Sequence, residues 1–137
     1  VEDAIRRTGT GDRVHLHGRV AIDDLPRLLA ASDIGLVPSL HEPYLEYSLS
    51  TKLLEFAAMG VPIVATDLAT FRHHFTDAAV RFVPGGPDAL AAAIASLVAN
   101  PEAARSLGLE AQRQAAAYDW TRQRATYLGI IERLARR

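Results

Sequence analysis

At 137 residues the chain is the size of one domain, long enough to bury about two-thirds of its unfolded surface. It is 49% hydrophobic, and 15 Lys and Arg against 16 Asp and Glu leave a formal net charge of -1. Such a balance argues against disorder and offers no basic field for nucleic acid as a bulk partner. The absence of cysteine excludes disulfides, thiolate nucleophiles and Cys-held zinc or iron–sulfur sites.

Residues 1–8 read as the end of an amphipathic helix, and 9–12, Gly-Thr-Gly-Asp, as a turn. Val14 to Gly18 alternates like a short strand. Asp23 is placed to cap a helix to about Ser32, with Leu25, Leu28 and Leu29 on one face. Ile34 to Pro38 is a short continuous apolar run, the pattern of a strand buried on both faces of a parallel sheet. A long loop follows, Ser39 to Ser50. A helix is then expected from Thr51 to Met59, stopped by Gly60. Pro62 to Thr66 reads as a second buried strand, and Asp67 as the cap of a short helix through Phe75. Val80 to Val83 reads as a further strand, ended by 84–87, Pro-Gly-Gly-Pro. Asp88 is expected to cap an Ala-rich helix to Ala99. Pro101 lies near the start of the next helix, to about Ala117. Trp120 and Thr121 open the last, with Tyr127, Leu128, Ile131 and Leu134 on its apolar stripe. Its basic end, Arg133, Arg136 and Arg137, suits a helix C-terminus; the other reading is a patch for an anionic membrane surface. Strands alternating with helices predict an α/β domain with a Rossmann-like parallel sheet and flanking helices.

No apolar run approaches the roughly 18 residues of a membrane span, and no signal peptide is visible. A cytoplasmic protein fits. The chain lacks an initiator Met and opens mid-helix, so a fragment is expected.

Ligands of open parallel sheets bind beyond the C-terminal ends of the strands. The long loop 39–50 leaves one such end and leads into the helix at Thr51. A helix start offers free N–H groups and a partial positive charge, both suited to phosphate. Ser48, Ser50 and Thr51 add hydroxyls. Lys52 adds a cation in the first turn, where the helix dipole disfavours it. An anion nearby accounts for that placement, and so does a solvated ion pair with Glu55 at i, i+3. Glu55 is a lone carboxylate among Leu53, Leu54, Phe56, Ala57, Ala58 and Met59. Buried, it needs hydrogen-bond donors, and vicinal hydroxyls such as a ribose's would serve; the alternative is a surface Glu. His15 and His17 share a strand face at a spacing compatible with metal ligands, but no third ligand is evident and no metal site is expected. His73 and His74 read as surface or packing residues. His41 and Glu42 lie at a strand end, either for acid–base chemistry or for holding the loop. Signatures for dinucleotide binding, P-loops and α/β-hydrolases are absent.

The stretch 52–67, from Lys52 through Glu55, Gly60 and Pro62 to Asp67, resembles the signature of group 1 (family four) glycosyltransferases. Val14 to Gly18, the block from Leu25 through Asp33 to Pro38-Ser39, Pro84-Gly85-Gly86 with Asp88, Asn100-Pro101 and Trp120-Thr121 resemble its other blocks in order. The resemblance implies the GT-B architecture, two Rossmann-like domains facing a cleft, with the C-terminal domain binding a nucleotide-diphosphate sugar as substrate. It implies that residues 1–137 are a single partial nucleotide-sugar-binding domain. Glu55 would bind the ribose, the backbone at Ser50 and Thr51 the diphosphate, with Lys52 beside it, and Gly18, Arg19 and Val20 would lie against the base. Members need no metal or other cofactor and commonly retain anomeric configuration. No catalytic residue is assigned.

The chain departs from the family at three places. The position eight before Glu55 is Tyr47 rather than a second Glu, with Glu42 and Glu46 out of register. The usual Phe-Gly is replaced by the segment Tyr44 to Leu49. The acceptor domain and the first two strands of the donor domain are missing, together with a basic pair used on the diphosphate. In the family's strand order those strands lie between the strands at Val14 and Ile34, so a gap with exposed edges is expected, filled by a companion segment, by strand exchange between copies, or by rearrangement. The partners implied are thus a nucleotide-sugar donor, the missing acceptor domain and a strand-exchanged homo-oligomer, with peripheral membrane contact in the whole protein. The leading reading is a sugar-transferring enzyme whose isolated fragment is inactive. The alternatives are a GT-B sugar-nucleotide epimerase and a non-catalytic Rossmann-like binding or assembly module.

Overall fold

The computed structural model describes residues 1–136; Arg137, last of the basic residues at the chain's end, lies outside the described residues. Three strands form one parallel sheet in the order β1-β2-β3 (β1 Gly35–Val37, β2 Ile63–Thr66, β3 Val80–Val83). Gly35 pairs with Ile63, and Ile63 with Val80. All four residues of β2 are buried, as a central strand covered on both faces requires.

Among the described residues seven α-helices surround or follow the sheet: α1 Glu2–Thr8, α2 Leu25–Ala30, α3 Thr51–Ala58, α4 Ala69–His74, α5 Pro87–Ala99, α6 Pro101–Ala115 and α7 Trp120–Ala135. Side-chain alternation along the strands divides the core in two. Ile63, Ala65, Val37 and Val80 face Leu53 and Ala57 of α3 and Phe71 of α4, with Leu68 and Phe75 beside them. Val64 and Val83 face Ala93 and Leu97 of α5. Helix α6 serves both, with Ala111 and Ala115 in the first cluster and Leu107 in the second. Phe71 and Phe75 are 1% exposed, and each such burial contributes about 2–3 kcal/mol.

Gly60 ends the α3 segment at φ 69, where a Cβ would be strained. Gly108, inside α6, permits a closer contact. A Cβ there would fall within 2.2 Å of the Gly60 carbonyl oxygen and 3.1 Å of the Pro62 nitrogen. Helix α6 therefore crosses the α3–β2 turn backbone to backbone, and Gln112 donates to the Ala58 carbonyl at 3.0 Å beside it.

Several expectations are corrected. Val14 to Gly18 is not a strand: it is unpaired, with Val14 and Leu16 40% and 54% exposed. Alternation marks an extended segment, but a strand also needs a neighbour for its backbone groups, and the resemblance gives it neighbours these residues do not include. Among the described residues β1 pairs with β2 alone, which leaves the expected free edge at β1. Helix α2 starts at Leu25 with Asp24, not Asp23, at the N-cap, and Asp24 makes no side-chain cap bond. Asp67 caps nothing. Its carboxylate accepts from Arg72 at 2.6 and 2.9 Å, and this guanidinium also holds Asp77 and stacks over Phe82. Asp88 lies inside the first turn of α5, whose N-cap is Gly86. Helix α6 stops at Ala115, followed by a tighter turn over 116–118. The apolar stripe of α7 is exposed: Tyr127, Leu128, Ile131 and Leu134 range from 40% to 59%.

Candidate functional site

The C-terminal ends of β1, β2 and β3 carry the loops that a ligand of such a sheet would meet. The loop after β1 runs from Pro38 to Ser50 and contains a 3-10 turn over Leu45–Tyr47. Its ends are tied down. Thr66, at the end of β2, donates its hydroxyl to the Ser39 carbonyl at 2.7 Å. Leu45 and Leu49 pack against the core. The loop then delivers Ser50, in extended conformation, to the N-cap of α3.

At that helix start the Ser50 carbonyl accepts from the Leu53 and Leu54 N–H groups, while the Ser50 side chain makes no cap bond. The N–H groups of Thr51 and Lys52 find no acceptor among the described residues. Lys52 is exposed and Glu55, one turn on, is half-buried. The Lys52–Glu55 ion pair allowed by their spacing is not formed: neither side chain has a partner among the described residues. Ser50, Thr51 and Lys52 line one hollow of about 410 Å³ with Ser39, Leu45 and Ser48. Free amides, hydroxyls and an unpaired ammonium converge there, a donor set for an anion.

Gly18, Arg19 and Val20 stand apart from this cluster. All three are exposed, and Gly18 borders a different hollow with Val1, Glu2, His15 and His17. Among the described residues no three His, Asp or Glu are grouped to hold a metal. No helix among them is long and apolar enough to cross a membrane.

A second constellation went unread in the sequence. Glu46 accepts the Ala69 N–H, first residue of α4, at 2.8 Å through Oε2, and Oε1 lies 3.2 Å from His41 Nδ1. The Ala69 amide, then His41, hold the Glu46 carboxyl below the usual carboxylate range. Glu42, paired with His41 by adjacency in sequence, is displaced in this role by Glu46. The 3-10 turn brings Glu46 round to the start of α4, and nothing in a spacing of 23 residues announces that contact. His41 borders a cavity of about 370 Å³ between the ends of the three strands, with Ser39, Thr66, Gly85, Gly86 and Leu90.

A family model described as glycosyl transferases group 1 matches residues 1–100. The chain is 27% identical over 136 residues to an MMP alpha-(1->4)-mannosyltransferase of Mycolicibacterium hassiacum, a match covering 96% of this chain and 32% of that protein. Sucrose-phosphate synthase from Thermosynechococcus elongatus superposes with a TM-score of 0.87 at 25% identity, over 97% of this chain and 33% of that one. HepE from Anabaena, solved in complex with UDP and glucose, superposes with a TM-score of 0.77 at 23% identity, over 99% of this chain and 35% of its own. The chain spans about a third of the length of the curated relatives it matches.

Proposed function

This chain belongs to the group 1 glycosyl transferases, and on that premise we propose that it forms the donor-binding part of an enzyme that transfers a sugar from a nucleotide-diphosphate donor to an acceptor. The observation that carries the proposal is the start of α3. Two amides without acceptors and a Lys52 unpaired among the described residues share a hollow with Ser39, just after β1, and Glu55, likewise unpaired, lies one turn on. The diphosphate seats on the Thr51 and Lys52 amides, with the Ser50 and Thr51 hydroxyls and the Lys52 ammonium around its oxygens. Glu55 accepts hydrogen bonds from the ribose hydroxyls. Gly18, Arg19 and Val20 meet the base. In the whole protein the acceptor is bound by a domain outside residues 1–137, so these residues bind donor without transferring sugar. The reaction needs no resident metal: Lys52 and the helix start neutralise the leaving diphosphate.

Calorimetric titration of this chain with UDP, GDP, UDP-glucose and GDP-mannose tests the assignment. The relative named as a mannosyltransferase and the HepE complex with UDP and glucose guide that choice of probes. Glu55→Ala is expected to weaken the nucleotide that binds by about 10- to 100-fold, the loss of hydrogen bonds to a charged acceptor. Unchanged affinity in Glu55→Ala would remove it from the site. Binding of none of the four would favour a non-catalytic assembly module.

A further inference from the structure

The cavity beside His41 and the hollow at the start of α3 share one residue, Ser39. A group joined to a diphosphate in the hollow would therefore lie next to the cavity. Most of the cavity wall is apolar, with Pro38, Leu40, Pro84 and Leu90. Its side-chain polar groups are few. Thr66 already donates to the Ser39 carbonyl, which leaves its hydroxyl only as an acceptor. The other side-chain polar groups are the Ser39 hydroxyl, at the junction with the hollow, and His41.

His41 is held from behind. Glu46 takes its Nδ1 at 3.2 Å and is itself anchored by the Ala69 amide. The opposite edge of the imidazole, Cδ2 and Nε2, lies 3.5 and 3.9 Å from the place where a Cβ on Gly85 would stand. Glycine puts no side chain there, so Nε2 opens on the cavity. Neutral with Nδ1–H toward Glu46, the ring offers Nε2 as an acceptor; protonated, it offers a donor. A hydroxyl pairs with either. A pyranose, with an apolar ring face and peripheral hydroxyls, matches an apolar wall with one oriented imidazole. Tyr47, where the family's second Glu would stand, is 89% exposed and supplies nothing to this cavity.

We propose that His41 determines donor specificity by hydrogen-bonding a hydroxyl of the transferred sugar through Nε2, with Glu46 as its positioning residue. This rests on the donor reading above and deepens it. The test compares nucleoside diphosphates with their sugars on the same variants. His41→Ala is expected to weaken UDP-glucose or GDP-mannose by about 3- to 10-fold, one hydrogen bond's worth, and to leave UDP and GDP unchanged. His41→Gln restores part of the loss. Glu46→Gln gives a smaller sugar-specific loss and moves the His41 ring ¹⁵N signals in NMR away from the Nδ1–H tautomer. Equal weakening of diphosphate and sugar by His41→Ala, or no change in either, overturns the proposal while the Glu55 result still stands. If no probe binds, or Glu55→Ala changes nothing, the donor reading fails and this inference goes with it.

Discussion

Gly108→Ala should destabilise this protein although every helix scale favours the change. Alanine in a helix interior is better than glycine by about 1 kcal/mol. At Gly108 the added methyl would meet the Gly60 carbonyl oxygen at 2.2 Å and the Gly60 carbonyl carbon at 3.0 Å. Those are backbone atoms of a turn already committed to φ 69, so no side chain can swing aside. Helix α6 has to retreat by about 1 Å, withdrawing Leu107 and Ala111, 7% and 0% exposed, from the two halves of the core. Overpacking of this kind costs about 1–3 kcal/mol, and an unyielding backbone puts the cost at the upper end, above the propensity gain. The net effect is a loss of roughly 1–2 kcal/mol and a Tm lowered by about 3–8 °C, read by circular dichroism on heating and by urea titration. Gly129→Ala is the control. Its methyl would meet nothing nearer than the Arg133 guanidinium at 3.9 Å, and the same substitution there should not lower Tm. A Gly108→Ala protein that unfolds at or above the parental temperature would refute the close crossing of α6.

Two further outcomes follow from local chemistry. Asn100 caps α6 by accepting the Ala103 N–H at 3.1 Å, so Asn100→Ala should cost about 1 kcal/mol in urea unfolding while Asn100→Asp keeps most of it. His74 is held below its ordinary pKa, first by burial and then by the neighbouring His73. The folded state therefore disfavours its proton relative to the unfolded chain. Its contribution to stability is full above the unfolded value near 6.5 and is lost as pH falls through the folded one. The urea midpoint should thus drop from pH 7.5 to 5, with a smaller drop in His74→Gln; equal slopes would exclude His74 as a cause.

A continuous apolar run made β2 legible, because a strand covered on both faces has no polar side to hide it. Glu55 stood out for a related reason: a carboxylate in an otherwise apolar turn has to be accounted for, and the structure leaves it half-buried without a partner. Local pattern misled where the deciding partner was distant. Asp67 and Asp88 have the chemistry of caps, yet Arg72 claims the first and Gly86 takes the cap position from the second. Val14 to Gly18 alternates as a strand does but pairs with no strand among the described residues. Glu46 read as a residue out of register, and its role depends on a 3-10 turn and on a helix start 23 residues away. Gly108 carried no signal at all, since a glycine inside a helical pattern looks the same whether a backbone or open water lies opposite.

The contact between Glu46 and Ala69 has a kinetic consequence. A helix of six residues has few internal hydrogen bonds with which to hold its first turn, and here that turn is closed by a carboxylate from the loop after β1. Loop and helix start therefore open as one unit, and the Ala69 amide becomes a clock for the loop: its hydrogen-exchange rate reads how often Glu46, and with it His41, lets go.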